Sequence, residues 1–186
     1  MRFIDARTDP WKTVSGEDGP LPHPDPMPQR LLTLGQWHAV RDTWPARLPT
    51  GVQLPNTLDV DTLAAELRGP GARLCLVVLH FPKWTDGRAY SQARLLRARH
   101  RFGGELRATG EVLVDMLPLL QRCGFDTVQL RHDQRIEDAV RALGFFAGHY
   151  QGDVCEPRPA FARNLSAEHT RADPQAAAAL FAGQGI

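Results

Sequence analysis

This chain is poor in lysine and carries almost no net charge, which narrows the range of its partners. Only Lys12 and Lys83 are lysines among its 22 basic residues, and the others are arginines. The formal net charge is +1, so the molecule as a whole has no field that would attract nucleic acid or an acidic membrane surface. We therefore predict partners that include neither nucleic acid nor membrane.

Long hydrophobic runs are also missing from the sequence. No apolar stretch approaches the roughly 18 to 20 residues that a membrane-spanning helix needs. The first twelve residues, MRFIDARTDPWK, contain acidic side chains and no apolar segment, unlike a secretory signal peptide. The sequence thus predicts a cytoplasmic protein.

Three cysteines are too few, and too widely spaced, for a disulfide framework. Cys75 lies in an apolar run, Cys123 near a predicted helix end and Cys155 in the tail, and none belongs to a CxxC pair. The sequence also lacks the glycine-rich loops of nucleotide sites and the residue spacing of zinc sites. We predict no metal and no cofactor, while flavin or haem binding, which needs no short motif, stays open.

What the chain does contain is a regular alternation of strand and helix patterns. Predicted strands cover residues 30–34, 52–54, 74–81, 105–109 and 127–131, and predicted helices cover 36–43, 59–68, 89–101, 111–123 and 135–143. The run LCLVVLHF is apolar throughout, as in a strand of a parallel sheet that is buried on both faces. The alternation predicts an α/β fold, a mostly parallel sheet of repeated βα units with helices packed on it. An open doubly wound sheet and part of a barrel are both compatible with this pattern.

Two flanking segments differ from this central domain. Residues 1–29 contain weak strand signals and then GPLPHPDPMP, whose regularly spaced prolines predict an extended connector. Residues 151–186 lose the alternating pattern and predict a weakly structured tail, with one helix near ADPQAAAALFAG. We therefore divide the chain into an irregular N-terminal extension (1–29), an α/β domain (30–150) and a tail (151–186).

Candidate site residues follow from the geometry of parallel sheets, which bind ligands at the carboxyl ends of their strands. The polar residues in or near the predicted strand ends are His80, Asp86, Arg88, Ser91, Arg107, Glu111, Arg131 and His132. Arginine offers a planar fork of donors that suits sulfate, phosphate or carboxylate. The six residues from Asp86 to Arg131 in this set therefore predict an anion-binding site.

Several of these residues also have a structural interpretation. Asp86 and Arg88 flank a glycine, so they are expected either to hold a turn as an ion pair or to contribute to an anion site at the start of the next helix. Arg107 lies inside a strand, where it either pairs with an acid and braces the sheet or reaches the site. His80 and His132 are the candidates for acid–base catalysis, and the alternative is that each is only hydrogen-bonded.

Arg94, Arg97 and Arg101 recur at helical spacing within the predicted helix 89–101. A stripe of charged residues at this spacing is typical of a solvent-facing helix surface. The same stripe also predicts a binding surface for an acidic partner protein.

Three segments of the central block are long enough to compare with known families: FPKWTDGRAYSQARLLR, GGELRATGEVLVDML and LQRCGFD. They resemble the bacterial family called domain of unknown function 934, over about residues 31–150. Members of that family carry the label of an oxidoreductase involved in sulfite reduction, so the resemblance implies a role in that pathway. The family's motif falls on Asp86, Gly87, Arg88, Tyr90, Ser91, Arg94, Glu105, Arg107, Gly110 and Asp115, without an assigned catalytic residue.

Two functional hypotheses follow from the residues and the resemblance together. The first is an accessory or adaptor protein that binds components of sulfite reductase through the arginine stripe, which the missing redox and nucleotide motifs favour. The second is a small enzyme that binds an oxyanion or a sulfonucleotide, with Arg88 and Arg107 as a clamp. A structural protein with only a genetic link to sulfur metabolism is a third interpretation.

Overall fold

The structure, a computed structural model, describes residues 1–16, 19–67, 74–146 and 148–163. The strands are β1 (Arg2–Phe3), β2 (Lys12–Thr13), β3 (Ser15–Gly16), β4 (Gly19–Pro20), β5 (Arg30–Thr33), β6 (Thr50–Leu54), β7 (Leu74–Phe81), β8 (Glu105–Gly110) and β9 (Thr127–Val128). The helices are α1 (Leu34–Val40), α2 (Ala64–Leu67), α3 (Arg88–Ala98), α4 (Leu117–Arg122) and α5 (Ile136–Leu143). The chain divides into two units, Met1–Phe146 and Ala147–Ile186.

Seven of these strands form one sheet in the order β1-β9-β8-β7-β6-β5-β2. Every pairing between neighbours in this sheet is parallel. The remaining strands, β3 and β4, form a separate antiparallel hairpin. The α/β fold with a parallel sheet, predicted from the alternation of strands and helices, is confirmed.

The helices of the first unit pack against a single face of the sheet. The sheet positions in this core include Leu32, Val52, Val77, Leu106 and Val128. Each of the five helices adds to the same core, through Trp37, Leu67, Leu96, Leu117 and Ala139 respectively. Leu76 and Val78 alternate with the core positions of β7 and are buried on the opposite face. Helices on one side only are the arrangement of a barrel, not of a doubly wound sheet.

The sheet is curled, because its two edge strands are consecutive in the chain. β1 and β2 lie at opposite edges, and only residues 4–11 connect them. In a flat sheet, six strand spacings would separate these edges by about 29 Å, close to the limit of about 30 Å that a fully extended connection reaches. The connection is not extended, since Thr8 N donates to Asp5 O (3.1 Å) across a turn. The edges are therefore drawn together, which gives the sheet a barrel-like curvature.

The connection between β1 and β2 crosses the concave face of this curled sheet. Asp9 accepts a hydrogen bond from Arg107 of β8, and the ring of Trp11 lies over Gly51 of β6. A Cβ atom at Gly51 would lie 3.1 Å from that ring, so glycine allows the close approach. The weak strand signals within residues 1–29 predict an irregular extension. The structure instead places two strands of this segment, β1 and β2, at the two edges of the main sheet.

The proline-rich connector is tied to the domain by a buried glutamine. Gln36 of α1 donates through Nε2 to Val14 O (2.9 Å) and Leu21 O (2.7 Å). Residues 21–28 form no helix or strand, as proline predicts, and only Gly19–Pro20 pairs within the hairpin.

Two predicted helices begin several residues later than the sequence pattern indicated. The segment 111–123 enters through a 3-10 turn at Val114–Met116, and α4 begins only at Leu117, with Pro118 in its first turn. The segment 59–68 likewise begins with a 3-10 turn at Val60–Leu63, and its predicted stop at residues 69–70 lies outside the described residues. An aspartate and the geometry of the preceding loop determine where these two helices begin. The periodicity of apolar residues contains no information about either feature.

The second unit is described between residues 148 and 163. It contains a 3-10 turn at Ala160–Ala162 and a hydrogen-bonded pair between Arg158 and Glu156 (2.7 Å), which lowers the pKa of Glu156 to about 2. The helix predicted within residues 172–183 lies outside the described residues. Across the described chain, no helix has both the length and the apolar character needed to span a membrane.

Candidate functional site

The carboxyl ends of the seven parallel strands surround a cavity of about 1040 Å³. Each strand contributes a lining residue in or directly after it: Ile4, Thr13, Leu31, Gln53, His80, Thr109 and Gln129. These positions alternate with the core positions of the same strands, so they face the concave side of the sheet. Parallel α/β proteins bind their ligands at this end. We call this space the strand-end cavity and take it as the candidate site.

Charged residues line the strand-end cavity from the N-terminal connection, from β2 and from the loops after β8 and β9. They are Asp5, Arg7, Asp9, Lys12, Glu111 and Arg131. Arg7 is paired with Asp5 in an exposed turn (3.0 Å). The structure thus brings Glu111 and Arg131 of the predicted anion site together, with His80 and His132 in the same wall.

Arg131 is hydrogen-bonded to two carboxylates and has further N–H donors that these bonds do not use. Its Nε and Nη2 donate to Asp133 (2.6 and 2.7 Å), and its Nη1 donates to Glu111 Oε2 (2.8 Å). A guanidinium has five N–H donors, so these contacts within the described residues leave two for a ligand. The hydrogen bonds from Arg131 lower the pKa of Asp133 to about 2, and the same bonds raise the pKa of Arg131. Both partners therefore stay charged at neutral pH.

Lys12 provides a second cation in the same cavity. Its Nζ donates to the carbonyl oxygen of Asp9 (2.7 Å). It forms no ion pair within the described part of the chain. An ammonium group has three donors, so two more are available to a bound molecule.

His80 is oriented by its neighbours on β8. Its Nδ1 lies 3.3 Å from Thr109 Oγ1. Gly110 follows in the left-handed region (φ +91°), and a Cβ there would lie 2.6 Å from His80 Cε1. The missing side chain at residue 110 therefore makes room for the imidazole. Because Nδ1 faces Thr109, Nε2 is the ring nitrogen that we assign to a ligand.

Arg107 lies beneath the strand-end cavity, where it braces the fold. Its side chain is only 3% exposed, and it donates to Glu105 (2.8 Å) and to Asp9 (2.5 Å). Glu105 also accepts hydrogen bonds from Thr127 (2.7 Å) and Arg2 (2.9 Å). Of the two predicted alternatives, the structure thus has Arg107 paired with acids inside the sheet.

The pKa of the Glu105 carboxyl depends on the hydrogen bonds of this network. Burial by itself raises the pKa of the Glu105 carboxyl, but the hydrogen bonds from Thr127 and Arg107 outweigh burial. The pKa therefore lies below its ordinary value, and the ionised carboxylate stabilises the folded state.

We expect this network to contribute to acid sensitivity of the fold. A lowered folded-state pKa stabilises the protein above the unfolded pKa of about 4.3, and this contribution is lost as the pH falls through the folded-state pKa. Glu105→Gln should therefore lose stability at pH 7 and show a smaller further loss below about pH 4.3 than the parent. Urea unfolding at pH 7, 4.5 and 3.5 measures both effects. Asp42→Asn, at an exposed position, is the matched control, and an identical pH dependence in Glu105→Gln and the parent would contradict the assignment.

Asp86 and Arg88 form the structural turn pair, outside the strand-end cavity. Arg88 donates through Nε and Nη2 to both carboxylate oxygens of Asp86 (2.9 and 2.6 Å), and these bonds lower the pKa of Asp86 to about 2. The predicted clamp of Arg88 and Arg107 is not formed, because Arg88 lies outside the strand-end cavity and Arg107 is buried among its acidic partners. Ser91 is exposed on α3 and does not line the cavity.

A smaller cavity of about 310 Å³ adjoins the first, and we call it the side cavity. Its apolar lining comes from Leu34, Leu54, Pro55 and Pro82. It shares two residues, Gln53 and His80, with the strand-end cavity. Asn56 also lines it and donates through Nδ2 to Asp86 (2.7 Å). The turn pair of Asp86 and Arg88 therefore supports a wall of this second space.

The predicted arginine stripe is wrong at Arg97, whose side chain is only 17% exposed. Its guanidinium donates to the backbone carbonyls of Phe102, Gly104 and Gly124 and to the carboxylate of Asp126. It therefore joins α3 to the segments that precede β8 and β9. Arg94 is exposed on α3, as helical spacing predicts, whereas Arg101 is exposed but lies beyond the end of α3 at Ala98, so the predicted helix 89–101 is too long.

Sequence reasoning missed Asp9, Lys12, Gln53 and Gln129, which all line the strand-end cavity. The two glutamines alternate with apolar core positions, and this period of two along a strand is a signal that would find them. Asp9 and Lys12 carry no such signal, since the Asp9–Arg107 contact joins residues 98 positions apart.

The structure also places two of the cysteines and the candidate metal ligands. Burial raises the pKa of the Cys75 thiol, which contacts Thr50 O at 3.4 Å, so a thiolate is disfavoured there as its apolar strand predicted. Cys155 is exposed in the second unit. In the described ranges, no three His, Cys, Asp or Glu side chains are grouped so that they could hold a metal ion.

Comparison with known proteins bears on the family of this chain. No curated protein and no solved structure matches it. The model of a family described as Bacterial protein of unknown function (DUF934) matches residues 51–161, which include His80, Thr109 and Arg131. The match covers more than half of the chain and confirms the resemblance inferred from its motifs. The chain therefore belongs to this bacterial family of unknown function, DUF934.

Proposed function

We propose that this protein is an enzyme that binds a small molecule with an oxyanion group in the strand-end cavity. The observation that carries the proposal is that Arg131, Lys12 and His80 all line the strand-end cavity. Arg131 has two N–H donors and Lys12 two more for the oxygens of a ligand. Charge-assisted hydrogen bonds of this kind contribute roughly 1.5–3 kcal/mol each.

His80 has the position of an acid–base group in this proposal. Thr109 and Gly110 hold its ring at the edge of the cavity, with Nε2 assigned to the ligand. Proton transfer by an oriented histidine is the commonest form of general acid–base catalysis. His132 also lines the cavity and is the second candidate for this role.

The resemblance to a family labelled for sulfite reduction makes sulfite and sulfate the first ligands to test. The adaptor hypothesis stays a prediction, and fewer exposed arginines support it. Arg97 is hydrogen-bonded inside the protein, so of the stripe only Arg94 and Arg101 are exposed. A sulfonucleotide also stays open, since ligand pockets usually measure about 300–1,000 Å³ and the strand-end cavity is of that size.

We expect Arg131→Gln to weaken the binding of sulfite and sulfate about 10- to 100-fold, because the amide carries no positive charge and has fewer donors than the guanidinium fork. Isothermal titration calorimetry of the purified protein measures the affinity. Arg135→Gln is the matched control, since Arg135 is exposed and does not line the cavity. Equal affinities of Arg131→Gln and the parent, or no heat with either anion, would remove the oxyanion site.

A further inference from the structure

The side cavity is not explained by an inorganic oxyanion. A sulfate or sulfite ion needs only hydrogen-bond donors, which Arg131 and Lys12 supply in the strand-end cavity. The side cavity instead presents the apolar surfaces of Leu34, Pro55 and Pro82. An apolar recess beside a polar site is typical of pockets that bind organic molecules.

The two cavities are joined at a pair of residues with polar tips. Gln53 on β6 and His80 on β7 line both spaces. Both lie on the concave face of the sheet, because Gln53 pairs with Val78, and His80 is the next residue on the same side of β7. A ligand that fills both cavities must therefore pass His80 and Gln53.

The wall of the side cavity is held in place by its own hydrogen bonds. Asn56 donates to Asp86, and Asp86 is held in turn by two bonds from Arg88. Gln92 of α3 donates to Pro55 O (2.9 Å) and Leu58 O (3.0 Å), which fixes the same loop from the other side. A loop restrained at both ends keeps a preformed recess, which lowers the cost of binding.

We infer that the ligand is an organic oxyanion, a sulfonate or carboxylate head with a short apolar substituent. The head binds Arg131 and Lys12, and the substituent occupies the side cavity. His80 and Gln53 then face the atoms that join head and substituent, which places the acid–base group beside the bond between them. This inference rests on the oxyanion site proposed above and adds the class of molecule that uses it.

Gly35 offers a way to fill the side cavity without disturbing the fold. It lines the cavity at the start of α1, and a Cβ there meets no atom within 4 Å. Alanine and leucine are both better helix formers than glycine. Gly35→Leu should therefore fold and occupy the recess. Gly103→Leu is the matched control, because Gly103 also has open space around it but lines neither cavity.

The test is calorimetric titration with methane-, ethane-, propane- and butanesulfonate. Sulfate serves as the anion without an apolar substituent. Each buried CH₂ is worth about 0.8 kcal/mol, or about fourfold in affinity. We expect affinity to rise about fourfold per carbon until the side cavity is filled. In Gly35→Leu this rise should disappear while the affinity for methanesulfonate stays, and Gly103→Leu should behave as the parent does.

The outcomes separate this inference from the oxyanion site on which it rests. If sulfate and methanesulfonate bind and Arg131→Gln weakens both, but chain length has no effect, the organic ligand is refuted and the oxyanion site stands. A chain-length effect that persists in Gly35→Leu also refutes the side cavity as the place of the substituent. If no member of the series binds, both proposals are overturned.

Discussion

Arg107→Met should destabilise the protein by about 3–5 kcal/mol, since it removes one partner of a buried ion pair. Methionine keeps much of the volume, so the loss comes from Asp9 and Glu105, which then hold buried charges without their guanidinium. Urea unfolding followed by circular dichroism measures the change.

Arg2→Met is the matched control for this substitution. Arg2 donates to the same carboxylate, Glu105, but its side chain is 70% exposed. Exposed pairs contribute about 0–1 kcal/mol, so the control should lose far less stability. Equal losses in the two variants would show that burial of Arg107 is energetically unimportant.

A triple substitution tests the cause of the loss. Combining Arg107→Met with Asp9→Asn and Glu105→Gln leaves no unpaired buried charge in the network, since Arg2, which loses its partner Glu105, is exposed. We expect this variant to be more stable than Arg107→Met alone, because the neutral amides remove the cost of uncompensated buried charges. A further loss of stability on adding the two amide substitutions would contradict the network.

Gly110→Ala is expected to cost about 2–4 kcal/mol and to displace His80. Residue 110 has a φ of +91°, where a side chain is strained, and a Cβ there would lie 2.4 Å from Phe81 O and 2.6 Å from His80 Cε1. The same turn contains the hydrogen bond from Glu111 N to Phe81 O (2.8 Å), which the substitution should weaken.

Thermal unfolding together with NMR signals of the His80 ring gives both readouts for Gly110→Ala. Gly103→Ala is the control, because a Cβ at that position meets no atom within 4 Å. Unchanged stability and unchanged His80 signals in Gly110→Ala would show that the glycine does not orient the histidine.

Local pattern was a good guide where an element is long and apolar. The strand at Leu74–Phe81 is observed with the predicted bounds, because an apolar run of eight residues flanked by breakers has the length of a buried strand and is short for a helix. The two-residue strands at the edges of the sheet are too short for a sequence pattern to predict their place in it. Their residues carry only weak strand signals.

Only some of the predicted site residues lie together in the structure, and this outcome has a physical cause. Strand-end geometry predicts that His80, Glu111, Arg131 and His132 lie together, and the structure has all four lining one cavity. For Arg107 it left two alternatives open, because a side chain within a strand can point to the interior of a curled sheet as well as to its end, and the structure has the first. For Asp86 the structure likewise has the turn pair, since Asp86 follows the strand by several residues and turns toward Asn56.

The order of strands and helices, the parallel sheet and the family could be read from the chain without coordinates, because periodicity and motif are local properties. The curvature of the sheet and the partners of its buried charges came only from the folded arrangement. They depend on residues 4–11 crossing the concave face, where Asp9 meets Arg107 across 98 positions of sequence. A contact between such distant residues leaves no periodic trace in either segment, so no reading of neighbouring residues would have found it.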